Sequence, residues 1–175
     1  LSAGIVHIGC GNFHRAHQAV YLHELFNMNE GHDWALVGAG VREADEQMRQ
    51  KLLAQDLYTT VVEQEAGKSA AHVTGAMIDF IKPGDSGALI ARMAETDIRI
   101  VSLTITEGGY YINPSTGMFD PEHADMIHDA ANPDTPKTDF CLILAALQRR
   151  RDKGIAPFTV MSCDNIPHTG AVTRN

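Results

Sequence analysis

Residues 7–17 read HIGCGNFHRAH: two glycines two apart after an apolar run, then an amide, a phenyl ring, two histidines and an arginine. Three chemistries fit these residue types. In the first, the stretch is a phosphate loop. Gly9 turns the chain out of a strand, Gly11 lets the backbone approach a pyrophosphate, and the phosphates rest on the N-terminus of the helix that follows. Arg15 then stands where its guanidinium fork favours an anion. His14 replaces the third glycine of the usual fingerprint, so the helix is expected to stand off the sheet or the loop to be rearranged. In the second, His14 and His17 share one helical face and bind a metal with help from His7, His23 or Glu24, although no HExxH spacing supports this. In the third, the stretch is a tight strand-to-helix turn with no ligand.

A dinucleotide loop needs a partner. An acid after the second strand holds the adenosine ribose hydroxyls. The stretch GAGVREAD offers Glu43 and Asp45, further from Gly11 than the usual ~20 residues. The alternative for either acid is to cap the helix it opens. A carboxylate there repels a 2′-phosphate, which selects NAD over NADP, while Arg42 is the neighbour that could reach such a phosphate.

Composition narrows the field. The 175 residues carry a net charge of −8, which argues against a nucleic-acid partner, because that binding runs on Lys and Arg. An apolar fraction of 44% with 21% charged residues suits a globular domain with a real core. No apolar stretch approaches the ~20 residues of a membrane span, and no signal-peptide pattern is visible. Cys10, Cys141 and Cys163 form an odd, sparse set without CxxC spacing. They read as reduced thiols of a cytoplasmic protein rather than a disulfide or zinc framework.

The elements that must position these residues follow from periodicity. Strands are expected at 4–8, 34–40, 57–64, 72–81, 98–106 and 158–165. Helices are expected at 15–27, 43–55, 85–95 and 138–154, with another beginning in HTGAVTRN as the sequence ends. The 57–64 and 72–81 strands bracket AGKSAA and form a pair off the main alternation. Residues 107–125 read as a long loop of the kind that is usually functional. This order predicts an α/β fold: a Rossmann-like, mostly parallel sheet with helices on both faces and an inserted β pair. A chain that ends in a new helix is expected to be a piece of a longer protein.

Three separated stretches, GIVHIGCGNFHRAHQAVYLHEL, IRIVSLTITEGGYYIN and FTVMSCDNIPHTGAVTRN, together resemble the N-terminal cofactor domain of the mannitol dehydrogenase family of polyol-specific long-chain dehydrogenases. The family's Gly-x-Gly-x-Phe-x-Arg-x-His loop corresponds to Gly9, Gly11, Phe13, Arg15 and His17. The resemblance implies that residues 1–175 form an NAD-binding domain. It implies cofactor contacts from the loop including Asn12, from Glu43 and Asp45, and from Thr106 and Asn165. It implies zinc-independent hydride transfer between NAD(H) and a polyol/ketose pair, mannitol and fructose first; fructuronate reductase and arabinitol dehydrogenase share the framework. It further implies Glu107 at the entrance to the nicotinamide site and Asn165 beside the reacting oxygen, where an amide N–H stabilises developing negative charge.

Thr169 departs from the asparagine common in the family at that position. The family's general-base lysine lies in a C-terminal domain outside these residues, so this chain alone is expected to bind cofactor without turnover. The full-length protein is expected to be a monomer or weak oligomer. Two rivals remain at this point: an NAD-binding module without catalysis, and a methyltransferase-like domain, which also pairs a glycine loop with an acid after the second strand.

Overall fold

The computed structural model describes residues 1–174. Its centre is a five-stranded parallel sheet built from β1 (Ala3–Ile8), β2 (Ala35–Ala39), β5 (Met77–Ile81), β6 (Ile100–Leu103) and β7 (Thr159–Ser162), in the order β5-β2-β1-β6-β7. The inner strands β1, β2 and β6 are almost wholly buried, as their unbroken apolar runs require of strands covered on both faces.

Side chains alternate between the two faces along each strand. Val6, Ile8, Val37, Ala39, Val101 and Leu103 meet α4 (Ser86–Met93) and α6 (Asp139–Asp152) through Leu89, Ile90, Met93, Leu142, Ile143 and Ala146. Ile5, Leu36 and Met77 point the other way, toward α2 (Gln18–Asn27) and α3 (Asp45–Leu53) through Ala19 and Leu52. The chain reverses direction across the sheet between β1 and β6, and the crevice at the carboxyl ends of these strands is where open α/β sheets take ligands.

Local chemistry sets the helix starts. Asp85 caps α4 by accepting from the Ala88 N–H, and Thr138 caps α6 through the Cys141 N–H. Thr138 is itself gripped by the buried Asp129 of α5 (Ala124–Ala131), which accepts from its N–H at 2.8 Å and its hydroxyl at 2.7 Å. At the other end of α6, the buried Arg150 donates to the carbonyls of Met93, Glu95, Ile98 and Ala156, satisfying groups where α4 and α6 finish.

Several expected boundaries move. The first helix begins at Asn12 rather than Arg15 and is broken at His17, giving α1 (Asn12–Ala16) and α2. The expected strand 72–81 is two strands: β4 (Lys68–Thr74) pairs antiparallel with β3 (Thr59–Glu65), while β5 belongs to the main sheet. The AGKSAA stretch is therefore mostly strand, and only Ala66 and Gly67, the latter at φ 78°, form the turn. The expected long loop at 107–125 holds a 3-10 turn at Glu107–Tyr110 and an isolated bridge between Ile112 and Phe119. The helix expected near the end is α7 (Thr169–Arg174). Among the described residues no helix is long and apolar enough to cross a membrane.

Candidate functional site

A cleft of about 640 Å³ lies across the carboxyl ends of β2, β1, β6 and β7. Its floor is the stretch Ile8–Phe13. Gly9 adopts φ 97°, and a Cβ there would run into the Thr104 carbonyl, so the turn needs glycine for both conformation and space. Gly11 is different. A Cβ on it would meet nothing nearer than the Gly9 carbonyl at 4.0 Å, so the open space beside it is what a ligand's phosphate would use. Gly11 is the N-cap of α1 and supplies no side-chain cap, which leaves the first N–H groups of the helix available.

The loop turns and the helix starts with His14 in place of a third glycine. The His14 ring lies flat on His7, with centroids 3.5 Å apart and planes 14° apart. The two stacked rings fill the space between α1 and β1 that a third glycine would let the backbones close. His7 is fully buried and reaches Ser102 Oγ at 2.7 Å, Thr104 Oγ1 at 3.0 Å and the Gly9 carbonyl at 3.2 Å. Burial, then the neighbouring His14, holds the His7 pKa well below the usual value; burial brings His14 down to about 4. A neutral pair thus ties the loop to β6. The other two histidines of the metal alternative point elsewhere: His17 stacks on Phe13 and His23 accepts from the Gly75 N–H. Among the described residues no three His, Cys, Asp or Glu side chains are grouped to hold a metal.

The remaining expected residues divide. Asn12, Phe13, Asp45, Thr106, Glu107 and Asn165 all line the cleft, so residues from four loops come together. Arg15 and Glu43 are not among the lining residues. Arg15 turns back into the loop, donating to the Cys10 carbonyl at 3.2 Å and to Asn12 Oδ1 at 2.5 Å, so it fixes loop shape. Glu43 is exposed on the rim next to Arg42, which does line the cleft. Asp45 Oδ2 accepts from the Val41 and Arg42 N–H groups, each at 3.0 Å, and shapes the turn after β2.

On the far side, Asp164 is a residue that the sequence reading passed over. Its carboxylate accepts from Ile105 N–H and Thr106 N–H at 3.0 Å each and from the Tyr110 hydroxyl at 2.7 Å. It pins the segment after β6 against β7 and holds Thr106 at φ 63°, ψ 171°. Burial, despite the bond to Ser162, pushes the Tyr110 phenol up to about 12. Thr169 bonds to the Ser162 hydroxyl, so its side chain is engaged within the protein. Asp139, the first residue of α6, was also passed over; it lines the cleft, and its Oδ1 is buried with no hydrogen-bond partner. The signals were present, as the Asp of CDN beside Asn165 and the acid of TDF in a helix's first turn, but the donors that Asp164 meets lie far away in sequence.

A parallel sheet in this order, with a glycine turn after the first strand, a positive-φ Gly9 and a cleft across the strand ends, defines a Rossmann-like domain. The family model described as the mannitol dehydrogenase Rossmann domain matches residues 3–175. The chain belongs to the mannitol dehydrogenase family. It is 58% identical to mannitol 2-dehydrogenase of Cereibacter sphaeroides over 176 aligned positions, covering 100% of this chain and 37% of that protein. The Pseudomonas fluorescens mannitol 2-dehydrogenase, solved as a ternary complex with NAD and D-mannitol, superposes with a TM-score of 0.94 at 48% identity, over 99% of this chain and 36% of that one. A D-sorbitol dehydrogenase in substrate-free form superposes with a TM-score of 0.91 at 44% identity, over 99% and 36%. The chain therefore spans little more than a third of the relatives it matches.

Proposed function

We propose that this chain is the NAD-binding part of a mannitol 2-dehydrogenase, which interconverts mannitol and fructose without a metal. The observation that carries the reading is the cleft itself. Its glycine loop leaves open space at Gly11 above uncapped helix N–H groups, and Asn165 and Glu107 stand at the end away from Arg42 and Asp45. The same backbone, at 48% identity, belongs to a protein solved with NAD and D-mannitol.

In this reading the pyrophosphate rests on the N–H groups that follow Gly11, where the helix dipole favours negative charge. The adenosine ribose lies toward Asp45, with Glu43 on the rim setting NAD over NADP. Bound there, NAD⁺ supplies the hydride acceptor. Asn165 donates its amide N–H to the substrate oxygen, which carries more negative charge in the transition state than in either ground state. Glu107 stands at the entrance to that region. The hydroxyl proton released in oxidation goes to a base that the family resemblance places on a lysine outside these residues. The substrate is a small polyol or ketose, the setting cytoplasmic, and the full-length protein a monomer or weak oligomer.

The test pairs two measurements on the full-length protein. Asn165→Ala is expected to lower kcat for mannitol oxidation about 10²–10³-fold while the Kd for NAD⁺ changes little. An unchanged kcat, or wild-type protein that fails to reduce NAD⁺ with mannitol, overturns the assignment.

A further inference from the structure

Asn165 stands exposed at the cleft, and no backbone hydrogen bond among the described residues holds it. A donor that must meet a developing charge has to be held in place. Its position therefore depends on the two ends of the segment that carries it, 163–168, between β7 and α7.

Both ends lead to one atom. At the near end, Asp164 accepts from the Tyr110 hydroxyl at 2.7 Å. At the far end, Thr169 bonds to the Ser162 hydroxyl, and Ser162 Oγ lies 2.5 Å from the same Tyr110 hydroxyl. The direction of this chain follows from its protons. A carboxylate only accepts, and each hydroxyl has one proton to give. Tyr110 gives its proton to Asp164, so Ser162 donates to Tyr110 and Thr169 donates to Ser162. Successive bonds in such a chain polarise and strengthen one another. Burial raises the phenol to about 12, so the hydroxyl keeps its proton at neutral pH.

Tyr110 is suited to be the anchor. It is 3% exposed, and its ring belongs to the core that Leu142 and Ile143 of α6 help to build, with the Phe140 ring centroid 5.7 Å away. Close packing leaves the ring little freedom, so its hydroxyl is a fixed point. Tyr110 also closes the 3-10 turn that Glu107 opens. One hydroxyl thus ties the turn carrying Glu107 to the loop carrying Asn165.

We propose that Tyr110 is a positioning residue for the reaction: through Asp164 and the Ser162–Thr169 pair, it fixes the Asn165 amide against the substrate oxygen. The inference rests on the role given to Asn165 above. It separates two jobs on one wall of the cleft. The Ile105 and Thr106 N–H groups hold Asp164 at 3.0 Å each whether or not the phenol is present, and they shape the cofactor's seat. The phenol acts on the loop beyond, so its loss is felt in hydride transfer and not in cofactor binding.

The experiment is a double-mutant cycle on the full-length protein: wild type, Tyr110→Phe, Asn165→Ala and the pair, read by kcat and KM for mannitol oxidation and by the Kd for NAD⁺. Tyr110→Phe is expected to lower kcat about 10–100-fold, the scale of a small misplacement. KM and Kd should stay within about twofold of wild type, because the interaction weakened is one made mainly in the transition state. In the Asn165→Ala background, Tyr110→Phe should change kcat by less than about twofold, because a positioning residue then has nothing left to position. Ser162→Ala cuts the chain within β7 and leaves the aromatic packing intact; it should lower kcat about threefold or more in the same way. Wild-type kcat in Y110F or S162A, a fall in kcat matched by a loss of NAD⁺ affinity, or a further fall of about tenfold when Y110F is added to N165A overturns the positioning role and leaves the role of Asn165 standing. An unchanged kcat in N165A overturns both.

Discussion

Replacing Asp164 with asparagine removes the group that holds the far side of the cleft in shape. The carboxylate takes two backbone N–H groups at 3.0 Å, from Ile105 and Thr106, and the Tyr110 hydroxyl at 2.7 Å. Hydrogen bonds to an ion are worth about 1.5–3 kcal/mol each, and the partial exposure of Asp164 puts these at the low end. An amide keeps one accepting oxygen and turns an NH₂ toward the other N–H, so one bond is lost and two donors face each other. Thr106, at φ 63° and ψ 171°, is in a region that costs a non-glycine residue about 1–3 kcal/mol, and its release returns part of the loss. The net expectation for D164N is a loss of roughly 1–3 kcal/mol. At roughly 2–4 °C per kcal/mol for a chain of this size, Tm should fall by roughly 2–12 °C. Thr106 and Glu107 should loosen with it, weakening NAD⁺ binding about tenfold. Thermal unfolding by circular dichroism and titration calorimetry read the two effects. A D164N protein with wild-type Tm and wild-type Kd would show that other contacts hold this segment and that the argument is wrong.

Two further substitutions probe the floor of the cleft and its support. Gly9→Ala is expected to abolish cofactor binding and to destabilise the fold, because the methyl enters the Thr104 carbonyl at a φ of 97°; Gly11→Ala, with nothing nearer than 4.0 Å, should melt like wild type but bind NAD⁺ more weakly. Equal melting of the two variants in a thermal scan would contradict that division of labour. Arg150→Met strips donors from four carbonyls, those of Met93, Glu95, Ile98 and Ala156, and is expected to cost about 3–5 kcal/mol in urea unfolding while NAD⁺ affinity at 15 °C stays near wild type. A loss below about 1 kcal/mol would mean that water replaces the guanidinium.

How far the fold could be read from sequence depended on burial. Strands β1, β2 and β6 are covered on both faces, and their continuous apolar runs identify them. The β3–β4 hairpin is exposed on both sides, with Val62 and Val73 in solvent, so it carries little alternation to mark where strand ends and turn begins. Its Ala66–Gly67 turn lacks the Asn-Gly or Asp-Gly pair that announces a tight hairpin. The break between β4 and β5 falls at Gly75 and Ala76, where the chain leaves the hairpin for the parallel sheet. Gly75 is the local mark at this break, and a glycine inside a strand run reads equally as a bulge within one strand. The start of α1 was missed for a tertiary reason: Asn, Phe and His are indifferent helix formers, and the His14–His7 stack helps hold that first turn in place.

The same distinction applies to the site. Glycines announce themselves because their role is local: a turn, a positive φ, room for a neighbour. An acid's role depends on which donors the fold brings to it. Asp45, named from sequence as a cofactor or capping acid, finds its N–H partners three and four residues away, at Arg42 and Val41; Asp164, which was not named, finds its own 54 to 59 residues away, at Tyr110, Thr106 and Ile105. Asp139 finds none for Oδ1. Three carboxylates in one cleft thus differ less in type than in what meets them. The two with backbone donors shape the walls on which a ligand rests. His14 makes the same point from the other side: in the motif it stands where a third glycine is usual, and in the fold its ring fills the space between helix and strand by stacking on His7.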